Sequence, residues 1–362
     1  MFDETIRQEL RSRYQSGYLD RNEERGTKTG AFEEFKNQTR RKPLISAADS
    51  ANIEQGNGNT VAIPVIDNNN ITITKGYART CALQTSDNTS RLVNVTGVRY
   101  GFGFDMKPTK YYDNLVGYME DLQLKITQRA NAFDKTLDSD CIADIEGALN
   151  QYWTAEVLNY YPQLGNFMQV PDTEKDKIYN KIETIMEQMD FNSDNSPISI
   201  IASTSHKPTL RDTQAGNGYN LFTGVSLAAT EADRAYTLND YRWNFSNRVT
   251  PETGSTEKLY AIQDGSLYMQ NRNDIIFKNG GDKVNDGKLW MTMNYPVVEL
   301  EMGLFYQRDC ADYSADLDAP SESTADIVES FEFSTEVFRV TPYNSDPANR
   351  YNPILGFSIL NP

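Results

Sequence analysis

The chain has 362 residues, 51 acidic against 35 basic side chains, a net charge of −16, and 38% hydrophobic and 11% aromatic residues. That apolar share supports a sizeable core and excludes global disorder, and the negative charge excludes a general nucleic-acid binder, which needs a basic face to displace counterions. The opening "MFDETIRQELRSRYQ" has charges from its third residue on, and no apolar run approaches the ~20 residues of a bilayer span, so a soluble chain without a signal peptide is expected.

Residues 1–60 are polar and glycine-punctuated and end in "EQGNGN". Helical fragments fit around Glu4–Tyr14, but no apolar period is long enough for an independent core, so an extended arm is expected, ordered by lying on something else. Residues 1–50 carry ten basic and nine acidic side chains, which leaves nearly the whole charge deficit to the rest. The densest basic cluster, Arg40, Arg41 and Lys42, is either a solvated stretch or a patch that docks on an acidic neighbour.

"VAIPVIDNNNITIT" reads as a strand, a turn over Asp67–Asn70 and an alternating strand through Ile71 and Ile73. "RTCALQT" and "RLVNVTGVRYGFGF" follow as further strands around "SDNTS". Along the last, Leu92, Asn94, Thr96 and Val98 face one way and Val93, Val95 and Gly97 the other. Neither face is strongly apolar. A ribbon over residues 71–104 with its tip near Ser86–Ser90 is therefore expected to project or to lie on a partner.

Leu115, Met119, Leu122, Ile126, Ala130, Phe133, Leu137 and Cys141 then recur at steps of four and three with no proline, the stripe of one helix face. A helix from Asp113 to Asn150 would span roughly 55 Å, about the diameter of a compact globule of this size. The pattern allows one beam, or a beam and a shorter helix capped by Asp138 or Ser139. "DKIYNKIETIMEQMDF" repeats the helical stripe at Ile178, Ile182, Ile185, Met186 and Met189, and "SPISIIAS" fits a buried central strand. Residues 204–235 read as loop. "YAIQDGSLYMQNRNDIIF", "KLWMTMNYPVVELEMGLFYQ", "ESFEFSTEVFRVTP" and "NPILGFSIL" return to strands.

Chemistry is sparse. Cys81, Cys141 and Cys310 form no CxxC pair, which points to a reduced intracellular chain with Cys141 buried near the stripe. His206 is the sole histidine, so no His pair for a metal exists, and no nucleophile elbow or phosphate-binding loop is present. "DFNSDN" starts like a calcium loop, but Asn195 and Ile201 stand where glycine and glutamate belong. Asp309, Asp312, Asp316 and Asp318 read as a solvated acidic loop. No enzyme activity, cofactor or metal is expected.

The order of these parts resembles the tailed-phage major capsid protein family, the Hong Kong 97-type fold. The resemblance rests on "VAIPVI" leading to "VRYGFGFDM", the helix from Asp113, "YNKIETIMEQMDF" joined to "ISIIAST", "LYAIQDGSLYMQN" and "LWMTMNYPVVELEMGL". It implies an α+β fold with an N-terminal arm (1–60), an extended β-hairpin E-loop (61–107) and a P domain with a spine helix (108–170). A mixed α/β A domain (171–280) and returning P-domain strands with a C-terminal tail (281–362) complete it. It also implies a non-enzymatic virion protein, assembled in the host cytoplasm as hexamers and pentamers of itself into an icosahedral shell. Packaged DNA, portal and decoration proteins would be its other neighbours, with no membrane. Arg40, Arg41, Lys42, Arg79, Arg91 and Arg99 are the expected subunit-interface cations. An encapsulin-type cargo compartment shares this fold, and a β-rich phage tail or surface-binding protein is the alternative that would not need the beam.

Overall fold

The computed structural model describes residues 29–55, 60–66, 90–111, 115–191, 197–210, 237–238, 241–273, 283–285, 288–295, 300–311, 326–342 and 351–362. In chain order these form α1 (Gly30–Arg41), α2 (Ala47–Gln55), β1 (Thr60–Ile66), β2 (Ser90–Thr96), β3 (Val98–Met106) and α3 (Leu115–Gly147). Next come α4 (Ala155–Leu158), β4 (Gln163–Leu164), β5 (Phe167–Val170), α5 (Ile178–Gln188), β6 (Ile198–Ser203), β7 (Thr237–Leu238), β8 (Tyr241–Ser246) and β9 (Ser255–Gln263). The rest are strands: β10 (Tyr268–Arg272), β11 (Lys283–Asn285), β12 (Lys288–Tyr295), β13 (Leu300–Ala311), β14 (Asp326–Val340) and β15 (Ile354–Leu360). The readings at Glu4–Tyr14, Ile71–Thr74, residues 79–85, Cys81, Asp312, Asp316 and Asp318 lie outside the described residues.

The strands form a two-stranded ladder and two larger sheets. In the six-stranded sheet, β14 is the shared axis: β3 pairs along one edge, while β13 and then β10 pair along the other. The seven-stranded sheet has the order β4-β5-β15-β9-β6-β8-β7, with β6–β8 and β5–β15 parallel. Its central strands are apolar on both faces because both are covered. Tyr260 and Ile262 of β9 face the core shared with α3, and Leu259 and Ala261 face the core built around α5.

Helix α3 runs unbroken through Asp138, a little shorter than the expected span. Ser139 does not start a new helix; its hydroxyl donates back to the Lys135 carbonyl, the habit of a mid-helix serine. The predicted stripe from Met119 to Cys141 is buried along its length. Its N-terminal part lies on the large-residue face of β3, where Tyr100, Phe104 and Met106 are buried and Phe102 packs against them. Phe102 and Phe104 sit opposite Phe333 and Phe331 of β14, with ring centroids 4.9 and 5.2 Å apart. The α5 stripe and β6 are buried as expected.

Three expectations are corrected. Part of the arm is not an arm here: Ala31, Phe32 and Phe35 of α1 belong to the main core of their own chain. β3 is not ribbon but the edge of the six-stranded sheet. The ladder consists of β1 and β2, in which Ile66 pairs with Ser90, so Ser90 stands within the ladder and residues 67–89 between its ends lie outside the described residues. Last, the chain does not return to one sheet: β10 joins the six-stranded sheet and β15 the seven-stranded one. The split of β2 from β3 has a local cause at Gly97. A Cβ there would stand 2.6 Å from both the Glu336 carboxylate and the Phe338 ring, so any larger residue requires these two side chains to shift.

The ladder is held at its base. Val95 and Ile63 join Ile45, Ile53, Tyr268 and Phe338 in a small core, while Leu92 on the opposite face is 68% exposed. The predicted alternation of β2 is the observed one.

Phe133 is buried edge-on against Tyr100 and Phe102. Phe133→Ala is expected to cost about 3–5 kcal/mol of unfolding free energy, read from the denaturant midpoint. A loss under about 1 kcal/mol would place the stripe elsewhere.

Candidate functional site

Among the described residues, a densely bonded polar region joins α1, α3 and both sheets. α1 starts where glycine is required: a Cβ on Gly30 would lie 2.6 Å from the Phe245 carbonyl oxygen of β8. Thr29 bridges to Ser246 but supplies no side-chain cap. The first turn of a helix still has free N–H groups and positive potential. Both are answered from α3: Asp138 Oδ1 accepts from the Ala31 and Phe32 amides at 3.0 Å each. Its Oδ2 accepts from Ser246 Oγ at 2.6 Å and Arg248 Nη1 at 3.1 Å. A fully buried carboxylate thereby caps one helix from the middle of another.

Further along α1, Glu34 accepts from Asn244 Nδ2 at 2.6 Å and from Arg41 Nη2 at 2.8 Å. Arg41 also donates to Asp264 at 2.8 Å, and Arg242 meets the same carboxylate at 2.8 Å. Burial pushes the Glu34 carboxyl up, opposed by its bonds with Ser199 and by the Arg41 charge. Gln38 Oε1 accepts from the Ser266 and Leu267 amides at 3.1 and 3.0 Å, and Thr39 Oγ1 accepts from the Met269 amide of β10 at 2.7 Å. α1 is thus a pin, with β8 of one sheet and β10 of the other bonded to it. The end of α3 is tied down in the same way. Lys258 of β9 reaches Glu146 at 2.6 Å and Glu252 at 2.7 Å, Arg339 of β14 pairs with Asp144, and Asn352 caps the Ala148 carbonyl at 2.9 Å.

The described members of the six predicted interface cations do not gather in one place. Arg40, Arg41 and Lys42 are all exposed at the end of α1, and the Arg41 guanidinium bonds to Glu34 and Asp264 of its own chain. Arg99 lies on the exposed face of β3, 3.4 Å from Glu332 of β14, a solvated pair of little energetic weight. Arg91 stands in β2 opposite Val65, and Arg79 lies outside the described residues.

His206 is fully buried. Its Nε2 meets the Tyr179 hydroxyl at 2.7 Å, its Nδ1 meets Glu257, which also accepts from Thr209 at 3.1 Å, and its ring stacks on Trp243. Every polar position of the ring is used inside the core, a structural arrangement. Cys141 is buried, and burial pushes its thiol well up, which keeps it unreactive. Among the described residues no group of three or more His, Cys, Asp or Glu side chains is placed to hold a metal. None of their helices is long and apolar enough to cross a membrane.

The α1 contacts were missed by periodicity because they are polar and reach partners more than a hundred residues away. A signal for Asp138 did exist. Leu122, Ile126, Ala130, Asp134, Asp138 and Ile142 form one row at steps of four, and acids in phase with an apolar row are expected to be buried.

No family model and no curated protein matches the chain. Among solved structures, a chain of the cyanophage Pam1 capsid asymmetric unit is similar with a TM-score of 0.50 and 9% identity, over 85% of this chain and 87% of that one. A chain of the Ralstonia phage GP4 capsid follows at 0.47 and 9%, covering 84% and 85%, and one of Mycobacterium phage Che8 at 0.46 and 12%, covering 87% and 89%. At these identities the Pam1 likeness establishes a shared α+β fold across most of both chains.

Asp138→Ala removes four hydrogen bonds and leaves Arg248, 13% exposed, without this carboxylate; it is expected to cost about 3–5 kcal/mol in denaturant unfolding. The neighbouring Ser139→Ala, on the exposed face, is expected to stay within about 0.5 kcal/mol.

Proposed function

We propose that the chain is the major capsid protein of a tailed double-stranded DNA phage, of Hong Kong 97 type, which self-assembles into an icosahedral shell. The observation that carries this reading is the likeness to a chain of the Pam1 capsid over 85% of the sequence. In this reading α3 is the spine helix, which with the six-stranded sheet makes the P domain. The seven-stranded sheet with α5 makes the A domain, and β1–β2 is the base of the E-loop. The N-terminal arm shortens to the residues before α1.

The physics supports such a role. A shell tile must resist bending, and α3, roughly 50 Å long at about 1.5 Å per residue, is bonded to one sheet along its length and to the other from Asp138 to its end. The ladder keeps an exposed face with Leu92, Asn94 and Thr96, which gains burial if it lies on an adjacent copy. Arg40, Lys42, Arg79, Arg91 and Arg99 are assigned to contacts with acidic surface of neighbouring copies, with Arg41 serving inside the subunit. The net charge of −16 suits a container whose wall must not grip the phosphates of packaged DNA.

Electron micrographs of the purified protein test the reading. Closed shells with rings of five and six subunits are expected, with nuclease-resistant DNA inside those formed during infection. Monodisperse monomers at high concentration would contradict it, and shells filled with an enzyme would make the protein a cargo compartment of the same fold.

A further inference from the structure

One buried acid in the α1–α3 junction has no role in the pinning. Asp134 lies one turn before Asp138 on the same row of α3, is 5% exposed, and its Oδ1 has no hydrogen-bond partner among the described residues. The donors at this junction are already taken. The Ala31 and Phe32 amides, the Ser246 hydroxyl and the Arg248 guanidinium all bond to Asp138. The charged groups around Asp134 are Glu33 in the first turn of α1, Asp138 on its own helix and Arg248 beyond β8. Asp134 therefore faces two further carboxylates and one guanidinium, and that guanidinium is bonded to Asp138. A second ionised carboxylate on α3 has no counter-ion of its own.

We propose that Asp134 is a pH-sensitive latch for α1: the helix seats firmly on α3 while this carboxyl keeps its proton and lifts more readily once it ionises. Burial first, then the nearby Glu33 charge, push the carboxyl from 3.8 up to about 7, against the pull of Arg248. In the lifted state it meets water and returns to its ordinary range. The seated state therefore holds the proton more tightly. Seating is strongest below about pH 4, weakens roughly tenfold per pH unit up to about 7, and is level above that. Because α1 pins both sheets, acid tightens the whole subunit against other sources of acid destabilisation. The latch belongs to the fold of a single chain and goes beyond the assembly reading, holding whether or not copies associate.

The test is amide exchange of the 30–41 segment in the intact chain, with wild type and Asp134→Asn compared at equal pH from about 5 to about 8. Comparison at equal pH cancels the chemical exchange rate, and any fixed effect of the asparagine adds a constant offset. The ratio of wild-type to variant exchange is expected to rise roughly tenfold per pH unit up to about 7 and then level. A ratio that stays constant across the range overturns the proposal. Should Asp134→Asn not fold, Glu33→Gln provides the second arm. Without the Glu33 charge the carboxyl ionises at lower pH, so the ratio of wild-type to Glu33→Gln exchange at equal pH should rise as pH approaches about 7 and then level, and a ratio constant across the range overturns the proposal equally.

Discussion

A long helix that serves two sheets must bury polar groups where they meet, and each such group has to be answered. Here the answer centres on the Asp138 carboxylate, which accepts from two backbone amides of α1, one hydroxyl and one guanidinium. Breaking a buried charge network of this kind costs several kcal/mol, comparable with the whole net stability of many domains. The arrangement also limits what can surround it. Gly30 has to be glycine because α1 enters against the β8 backbone, and α3 has to continue through Asp138 because the carboxylate serves a different helix.

From this point the two sheets are coupled in series. Glu34, Arg41 and Asp264 bind α1 to the seven-stranded sheet, and Gln38 and Thr39 carry the connection through Leu267 into β10 of the six-stranded one. Side chains at the end of α3 repeat the coupling through Glu146 and Asp144. The ladder differs. It rests on a small core of six buried residues that includes Ile63 and Val95, and its outer face is solvent-exposed. The body and the ladder thus differ in the number and burial of their contacts.

Those parts of the fold that follow apolar periodicity were legible in the sequence. The α3 stripe, the α5 stripe and the buried strand β6 stand where their spacing places them. α1 was not legible, because three apolar side chains are too few for a period and its binding is done by Glu34, Gln38, Thr39 and Arg41. Their partners are set by topology, which a local pattern does not contain. β3 could have been separated from the ribbon: Tyr100, Phe102, Phe104 and Met106 alternate strictly with Gly101, Gly103 and Asp105, a half-buried sheet strand, and Gly97 marks the break. The assignment of β10 and β15 to different sheets was not available, since an apolar run does not name its neighbour. The bonds of Arg41 to Glu34 and Asp264 were not legible either, because a charge cluster carries no direction and Asp264 lies far along the chain.

In the proposed capsid role, the described body buries its core within one chain and the exposed face of the ladder is covered by a second copy. Hydroxyl-radical footprinting of unassembled and assembled protein measures this most directly. Leu92 of the ladder, 68% exposed in the single chain, is expected to lose most of its labelling on assembly, while Tyr118 and Met119 on the buried face of α3, 1% and 6% exposed, stay protected in both states. Equal labelling of Leu92 in free and assembled protein, or Met119 labelled until assembly, would contradict it.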